Sequence, residues 1–233
     1  MALARARPAA VPPGALDCVV ARNEHGVYCI PRVCSRRPAA QALLEARVWE
    51  AGTLELMCSI PGDVVHAGTF FGDFLPALAH SRTDTVWAFE PNRESHRCAQ
   101  ITTELNGLGN VNLMHAAISD APGACNLAVT NAAGVPSGGG SRLKPDPLVG
   151  ELVEVVPLVT VDEVVPADRN VGLLELDVEG HEQQALLGAL GVIERCHPVV
   201  ILEQLPAEGW LREHLPGYAV SATVNGNSVL TPS

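Results

Sequence analysis

The stretch DVVHAGTFFGDF, residues 63–74, joins a short apolar run to a turn that carries two glycines. The apolar run predicts a buried strand over residues 63–67, and Gly68 and Gly72 predict a turn after it. We expect a helix to follow over about residues 71–80. A strand, a glycine turn and a helix in this order are typical of the first unit of an α/β fold.

The same alternation continues along the chain. Further strands are predicted over residues 85–89, 111–117, 171–176 and 199–203, with helices ending near residue 106 and covering about 182–190 and 208–214. Strands that alternate with helices form right-handed βαβ units, so the sequence predicts a parallel sheet covered by helices on both faces.

Two regions interrupt this alternation. Residues 120–170 predict strands over 125–130 and 152–156 around a long loop, 132–150, which contains three consecutive glycines. Loops of this length are usually functional or disordered, so we expect either a lid ordered by substrate or a surface connection. At the end of the chain, Asn225-Gly226 separates two strand-like runs and predicts an antiparallel hairpin.

We interpret residues 1–60 as an N-terminal extension and residues 61–233 as the main α/β domain. Residues 1–14 are rich in Ala, Arg and Pro and are interpreted as a partly disordered leader. Residues 16–31 predict a β-hairpin, and a helical segment follows from Pro38, which Gly52 is expected to divide into two helices. The extension either covers the site or forms a homodimer contact.

The composition excludes several classes of function. The chain has 233 residues and a formal charge of −11, which disfavours binding to nucleic acid. Lys144, the only lysine, lies outside any Gly-Lys-Ser/Thr sequence, which excludes a phosphate loop and makes Schiff-base chemistry improbable. Apolar runs are too short to cross a membrane, and the seven cysteines contain no Cys-x-x-Cys pair, so we expect a cytoplasmic protein with reduced thiols.

An adenosine cofactor is predicted from the spacing of two residues. Glu90 closes the second strand, 22 residues after Gly68, where a carboxylate accepts hydrogen bonds from ribose hydroxyls. The glycine spacing differs from the G-x-G-x-x-G that surrounds a pyrophosphate. Ser119-Asp120, after the third strand, lies either near the adenine or at the cap of the next turn.

The sequence resembles the FkbM family of methyltransferases over residues 62–205. The resemblance depends mainly on the block Asp177-Val178-Glu179-Gly180-His181-Glu182, on the Leu-x-Gly-Ala sequence at 186–189, and on the strand that ends at Glu203. Further matches are Phe89-Glu90-Pro91-Asn92, residues 116–120 and residues 159–162.

The resemblance implies a Rossmann-like class I methyltransferase sheet, mostly parallel with a C-terminal antiparallel hairpin. It also implies S-adenosylmethionine (SAM) as cofactor and O-methylation of a hydroxyl on a small molecule, such as a sugar or a secondary metabolite. The cofactor contacts that it implies are His66, Gly68, Thr69, Phe71, Gly72, Asp73, Glu90, Pro91, Asn92, Ala117, Ile118 and Asp177.

This chain departs from the family pattern at two positions. Many family members have Asp at the end of the first strand, where this chain has His66, and Lys where this chain has Glu175. A non-catalytic scaffold protein is therefore an alternative function. A nicotinamide oxidoreductase is another, since Glu90 would also bind NAD, but the missing G-x-G-x-x-G and the terminal hairpin count against it.

Candidate catalytic residues follow the carboxyl ends of the strands, where ligands bind in open α/β sheets. They are Asp177, His181 and Glu203. We assign Asp177 to the mouth of the site and His181 to the role of general base, because imidazole titrates near neutral pH. Two alternatives stay open: Glu179 and His181 cap the following helix, or Asp177 and Glu203 bind a divalent ion that activates the acceptor.

Overall fold

The structure, a computed structural model, describes residues 16–233, so the leader predicted for residues 1–14 lies outside the described part. The strands are β1 Cys18–Arg22, β2 Val27–Pro31, β3 Asp63–Ala67, β4 Val86–Phe89, β5 Val111–Met114, β6 Ala117–Ile118, β7 Gly123–Ala128, β8 Arg142–Leu143, β9 Val153–Val159, β10 Val171–Leu176, β11 Val199–Leu202, β12 Tyr218–Val224 and β13 Asn227–Pro232. The helices are α1 Pro38–Leu44, α2 Ala51–Ser59, α3 Leu75–His80, α4 Arg93–Asn106, α5 Val161–Val164, α6 Glu182–Leu187, α7 Leu190–Cys196 and α8 Glu208–His214.

A central sheet has the strand order β5-β4-β3-β10-β11-β13-β12. Strands β5, β4, β3, β10 and β11 are mutually parallel, whereas β13 runs antiparallel to both of its neighbours. Asn225 and Gly226 both have positive φ, as a two-residue hairpin turn that matches the twist of the strands requires. The mostly parallel sheet with its C-terminal antiparallel hairpin is therefore confirmed.

Alternate side chains of each central strand enter cores on opposite faces of the sheet. Leu174 and Leu176 of β10 join the core formed with α6 and α7, and Leu173 joins the core formed with α2 and α3. This two-sided burial explains why β3 and β10 are almost continuously apolar. Asp63 is polar at the start of β3, and the two polar residues farther along these strands, His66 and Glu175, lie on the α2–α3 side by the same alternation.

A second sheet, with the order β6-β9-β7-β8, corrects the prediction of one strand over residues 111–117. Strand β5 ends at Met114, and Ala117 and Ile118 pair instead with Leu158 and Val159 of β9. The chain changes sheet at His115, whose Nε2 lies 2.9 Å from the carbonyl oxygen of Pro91. The predicted loop 132–150 contains β8 and a short 3₁₀ helix, Gly138–Gly140.

Helix boundaries differ from the predictions where the backbone has a positive φ. The helix expected from residue 71 begins at Leu75, because Phe70 and Gly72 have φ of 53° and 81°. The N-terminal helices separate between Leu44 and Ala51, not at Gly52, and Ala46 and Glu50 in that connection have left-handed backbones.

The helix expected over residues 182–190 ends at Leu187, and α7 follows as a separate helix that sequence reasoning missed. Gly188 stands between the two, and a Cβ there would lie 1.9 Å from the Ser119 carbonyl oxygen. Within residues 16–233, no helix has both the length and the apolarity needed to cross a membrane.

The N-terminal hairpin, β1 with β2, is confirmed and packs on α4. The backbone N–H of Cys29 donates to Thr102 Oγ1 at 3.0 Å, and Asn106 of the same helix binds both backbone groups of Val27. Tyr28 is fully buried in this contact. The extension thus lies against the helix that follows β4 and reaches the carboxyl ends of the central strands.

Candidate active site

Two clefts open side by side at the carboxyl ends of the central parallel strands. The first, which we call the cofactor cleft, is lined by Ala67, Gly68, Phe89, Glu90, Pro91, Ala116, Ala117, Ile118, Leu127, Gly139, Ser141, Leu143, Asp177, Val178, Glu179 and His181. The second, the acidic cleft, is lined by Arg37, Pro38, Ala39, Trp49, Glu50, His66, Gly68, Phe70, Asp73, Phe74, Gly139, Gly140, Glu175, Asp177, Glu179 and Glu203.

Gly68 brings the turn after β3 into contact with the end of β10. Its φ is +87°, and a Cβ at this position would lie 1.8 Å from the Asp177 carbonyl oxygen. Only glycine fits both constraints. The glycine predicted to admit a ligand therefore also lets two strand ends meet, which brings Asp177 to the cleft floor.

Glu90 is held in the cofactor cleft by backbone donors, and its residue is only 5% exposed. The backbone N–H of Phe70 donates to Oε2 at 2.8 Å, and that of Asn92 donates to Oε1 at 2.7 Å. Burial raises the pKa of Glu90 to about 8, although both backbone hydrogen bonds act in the opposite direction. Each oxygen keeps a lone pair for a ligand hydroxyl, as the predicted ribose contact requires.

The far end of the cofactor cleft has apolar walls from Ala117, Ile118, Leu127 and Leu143. These residues suit a flat aromatic base, and all four belong to the second sheet.

His181 lies at this far end. Its Nε2 is 3.0 Å from Ser119 Oγ, and Ser119 Oγ donates to Asp120 Oδ1 at 3.0 Å. Burial lowers the pKa of His181, so its ring is neutral at pH 7. Although His181 is the residue before α6, its side chain makes no capping hydrogen bond. The structure thus separates His181 from the acidic cleft, where Glu203 lies.

Three carboxylates meet in the acidic cleft. Asp177, Glu179 and Glu203 each place one oxygen within 4.8 Å of the others. Asp177 is exposed to solvent in the open cleft, but desolvation by its surroundings and the charges of Glu175 and Glu203 raise its pKa above the ordinary value. Glu179 also accepts a hydrogen bond from Arg142 Nη2 at 3.0 Å. An all-oxygen set of this kind has the donor chemistry that Mg²⁺ or Ca²⁺ prefers.

The two departures from the family pattern form one ion pair. Glu175 is the register partner of His66 across β10 and β3, and Glu175 Oε2 contacts His66 Nδ1. Burial opposes a charge on His66, but the Glu175 carboxylate and its hydrogen bond together raise the pKa of His66 above its ordinary value. Where the family pattern has an acid and then a base, this chain has a base and then an acid, and the two side chains form an ion pair here.

The cofactor cleft and the acidic cleft share four residues: Gly68, Gly139, Asp177 and Glu179. These residues define a junction through which a group can pass from a ligand in one cleft to a ligand in the other. Gly139 comes from the glycine loop, which is held by a hydrogen bond from Arg37 to the Ser137 carbonyl oxygen. The loop and the N-terminal extension therefore build the site together.

The predicted cofactor residues divide into three groups. Gly68, Glu90, Pro91, Ala117, Ile118 and Asp177 line the cofactor cleft, whereas His66 and Asp73 line only the acidic cleft. Thr69, Phe71, Gly72 and Asn92 line neither cleft. Thr69 and Phe71 are fully buried, Gly72 packs against α3 and α4, and Asn92 Oδ1 accepts the first backbone N–H groups of α4 as its cap.

Sequence reasoning missed the residues that the loop and the extension contribute, chiefly Arg37, Trp49, Gly139, Ser141 and Leu143. The run of three glycines was the available signal, since close packing needs residues without side chains. Gly138 packs this way: its φ is +56°, and a Cβ there would lie 2.8 Å from Cys34 Sγ. The contribution of Arg37 and Trp49 had no comparable signal.

Comparison with solved structures shows a Rossmann-like class I methyltransferase fold. The methyltransferase FkbM from Methylobacillus flagellatus has a TM-score of 0.52 and 16% identity, covering 74% of this chain and 43% of its own. The 16S rRNA N2 G1207 methyltransferase of T. thermophilus, solved with AdoMet and guanosine, has a TM-score of 0.50 and 18% identity, covering 96% of this chain and 52% of its own. This chain thus spans about half the length of these two proteins.

The comparison with curated proteins found no match. The family model for the methyltransferase FkbM domain matches residues 66–216, from the end of β3 through β10 and β11, and includes the motifs quoted above between residue 66 and Glu203. The chain belongs to the FkbM methyltransferase domain family.

Proposed function

We infer that this protein transfers a methyl group from SAM to a hydroxyl on a small-molecule acceptor. The observation that carries the proposal is the junction of Gly68, Gly139, Asp177 and Glu179, which joins an adenosine-shaped cleft to a second, polar cleft. Methyl transfer is a displacement in line with the bond that breaks, so the two ligands must meet end to end at such a point.

The residues of the cofactor cleft fit SAM in three places. The buried Glu90 carboxylate suits the ribose hydroxyls, and the apolar walls around Ile118 suit the adenine. In this proposal Asp177, at the junction, contacts the methionine portion of SAM. His181 lies near the adenine and holds Ser119 by a hydrogen bond. When bound, SAM supplies an electrophilic methyl group on a positively charged sulfur.

The acidic cleft is the proposed acceptor site. Six carboxylates line it, whereas Arg37 and His66 are its basic residues. A phosphate backbone would be repelled by this surface and by the net charge of −11, which supports a small molecule over a nucleic acid. Carboxylates accept hydrogen bonds from several hydroxyls at once, so a polyol or a sugar suits the cleft.

Activation of the acceptor hydroxyl has several candidates within this proposal. Asp177 and Glu203 lie in the acceptor site and could act directly or through a divalent ion bound with Glu179. His181 stays a hypothesis as general base, but its bond to Ser119 in the cofactor cleft favours a role in holding the cofactor.

Binding is the first test. Calorimetric titration with SAM and S-adenosylhomocysteine (SAH) should give micromolar affinity, and NAD should not bind. The Glu90→Ala variant should lose about 10- to 100-fold in affinity, because a buried group that holds ribose hydroxyls is removed. The exposed Glu208, replaced by Ala, is the matched control and should bind like the wild type.

Transfer is the second test. Methyl-labelled SAM is incubated with a panel of monosaccharides, polyols and phenols, and label on an acceptor oxygen supports the proposal. Binding of NAD in place of SAH would overturn it. SAH binding without transfer to any acceptor class would instead favour a non-catalytic role.

A further inference from the structure

His66 is a buried histidine whose two ring nitrogens have different surroundings. Its side chain is 5% exposed, and Nδ1 contacts the Glu175 carboxylate. Its Nε2 has no hydrogen-bond partner among residues 16–233. A carboxylate on Nδ1 holds the proton there in the neutral ring and leaves the lone pair on Nε2. A buried nitrogen without a partner is unfavourable, which points to a missing ligand.

The position of His66 suits a group that acts on the acceptor. It lies on β3, two residues before the junction glycine Gly68, and it lines the acidic cleft but not the cofactor cleft. The ring stacks on Phe74 at a centroid distance of 5.9 Å and an angle of 16°, which fixes its orientation. Because Nε2 is itself buried, an acceptor hydroxyl reaches it only if the cleft wall beside it shifts when the acceptor binds.

We propose that His66 Nε2 is the general base that accepts the acceptor's hydroxyl proton, with Glu175 as the residue that positions the ring and holds its Nδ1 proton. This proposal rests on the proposed function. In the transfer, the acceptor oxygen forms a bond to the methyl carbon, the carbon–sulfur bond breaks, and its electron pair stays on sulfur. The O–H proton passes to Nε2, and the imidazolium that forms is stabilised by Glu175 until it releases the proton to water.

Carboxylates from several elements act on His66. Glu175 on β10 contacts it directly, and Asp73, before α3, adds to the increase in its pKa. Asp177 at the end of β10 and Glu50 before α2 line the same cleft. These carboxylates favour the protonated ring, so the free base forms only as the pH rises through the increased pKa. Removing the Glu175 charge lowers that pKa and moves the acid limb of the rate profile to lower pH.

The test separates the base from its structural role. His66→Asn keeps an N–H near the Nδ1 position for Glu175 and removes Nε2. Glu175→Gln keeps the size of the partner and removes its charge. His80→Gln is the matched control, because His80 is exposed at the opposite end of the sheet. SAH affinity, measured by calorimetry, reports whether each variant still folds.

Two readouts are expected to agree. In nitrogen NMR spectra of the SAH-bound protein, the neutral His66 ring should carry its proton on Nδ1. With the hydroxyl compound that the wild type methylates, His66→Asn should lower kcat by about 10²- to 10⁴-fold, with SAH affinity within about twofold of the wild type. Glu175→Gln should move the acid limb of kcat to lower pH, and His80→Gln should change neither quantity.

Three results would each overturn the proposal: a neutral ring protonated on Nε2, a His66→Asn variant that keeps kcat within about threefold, or an acid limb unmoved in Glu175→Gln. Failure of the proposed function is separate, because it would appear in the wild type as absent SAH binding or absent transfer. The NMR readout needs no acceptor, so a ring protonated on Nε2 would overturn the proposal even when the panel yields none.

Discussion

The turn that builds the junction is held by backbone strain and close packing at Gly68. Alanine substitutions at Gly68 and at two glycines elsewhere, Gly107 and Gly172, separate these two effects. Gly68 has both problems: φ is +87°, and an added Cβ would lie 1.8 Å from the Asp177 carbonyl oxygen. Gly107 has only the first, with φ of +63° and open space around it. Gly172 has only the second, since its Cβ would lie 1.8 Å from the Pro61 carbonyl oxygen and its φ is not left-handed.

The magnitudes follow from these contacts. A left-handed alanine costs about 1–2 kcal/mol, of which about 0.4–1 is recovered because alanine restricts the unfolded chain, so Gly107→Ala should lose about 1 kcal/mol. A clash with a fixed backbone atom costs about 1–3 kcal/mol or more, which we expect for Gly172→Ala. Gly68→Ala should lose about 3 kcal/mol or more, with a decrease in Tm of about 6–12 °C.

Urea denaturation gives the free energies of unfolding, and a thermal melt gives the Tm values. The order of stability should be wild type, Gly107→Ala, Gly172→Ala and Gly68→Ala. A Gly68→Ala variant no less stable than Gly107→Ala would refute the reasoning, because it would mean that the turn does not press against the end of β10.

Three further predictions concern stability and activity. Asp63 is buried against Arg169 and Trp87; burial opposes its charge, but the hydrogen bonds hold its pKa below the ordinary value. The stability that the Asp63 carboxylate contributes is therefore fully present above pH about 4 and is lost as the pH falls through its lowered folded pKa. Asp63→Asn should lower the free energy of unfolding by about 2–3 kcal/mol at pH 7, and by progressively less in acid. Urea denaturation at a series of pH values measures this difference. Gly139→Leu should obstruct the junction and lower methyl transfer at least about 10-fold, with the free energy of unfolding within about 0.5 kcal/mol of the wild type; normal turnover would place the transfer elsewhere. With a histidine base, turnover should survive exhaustive chelation within about twofold, whereas loss of turnover that Mg²⁺ restores would favour an ion at Asp177 and Glu203.

Local signals predicted the framework of the fold. The apolar run at 63–67, the acidic residue at the end of β4 and the Asn225-Gly226 turn each depend on a few neighbouring residues, so sequence alone was sufficient for them. The change of sheet after Met114 was not predictable in this way, because residues 111–118 are one continuous strand-like run and only pairing with β9 divides them.

The candidate site was only partly predictable for the same reason. Glu90 and Asp177 follow strand ends in a way that the sequence shows. His66 and Glu175 were each interpreted as an isolated departure, since 109 residues separate them and their contact exists only through the register of β3 with β10. Arg37 and Trp49 reach the acidic cleft because the extension packs across α4, which no local pattern indicates.

The ion pair of His66 with Glu175 also constrains how such a sequence can evolve. Replacing His66 alone by Asp would place two carboxylates side by side in a buried position, and replacing Glu175 alone by Lys would do the same with two cations. Each single step toward the family pattern is thus more unfavourable than both together. We expect positions 66 and 175 to change jointly among relatives, or to pass through an uncharged intermediate, so covariation at this pair would mark the branch to which the chain belongs.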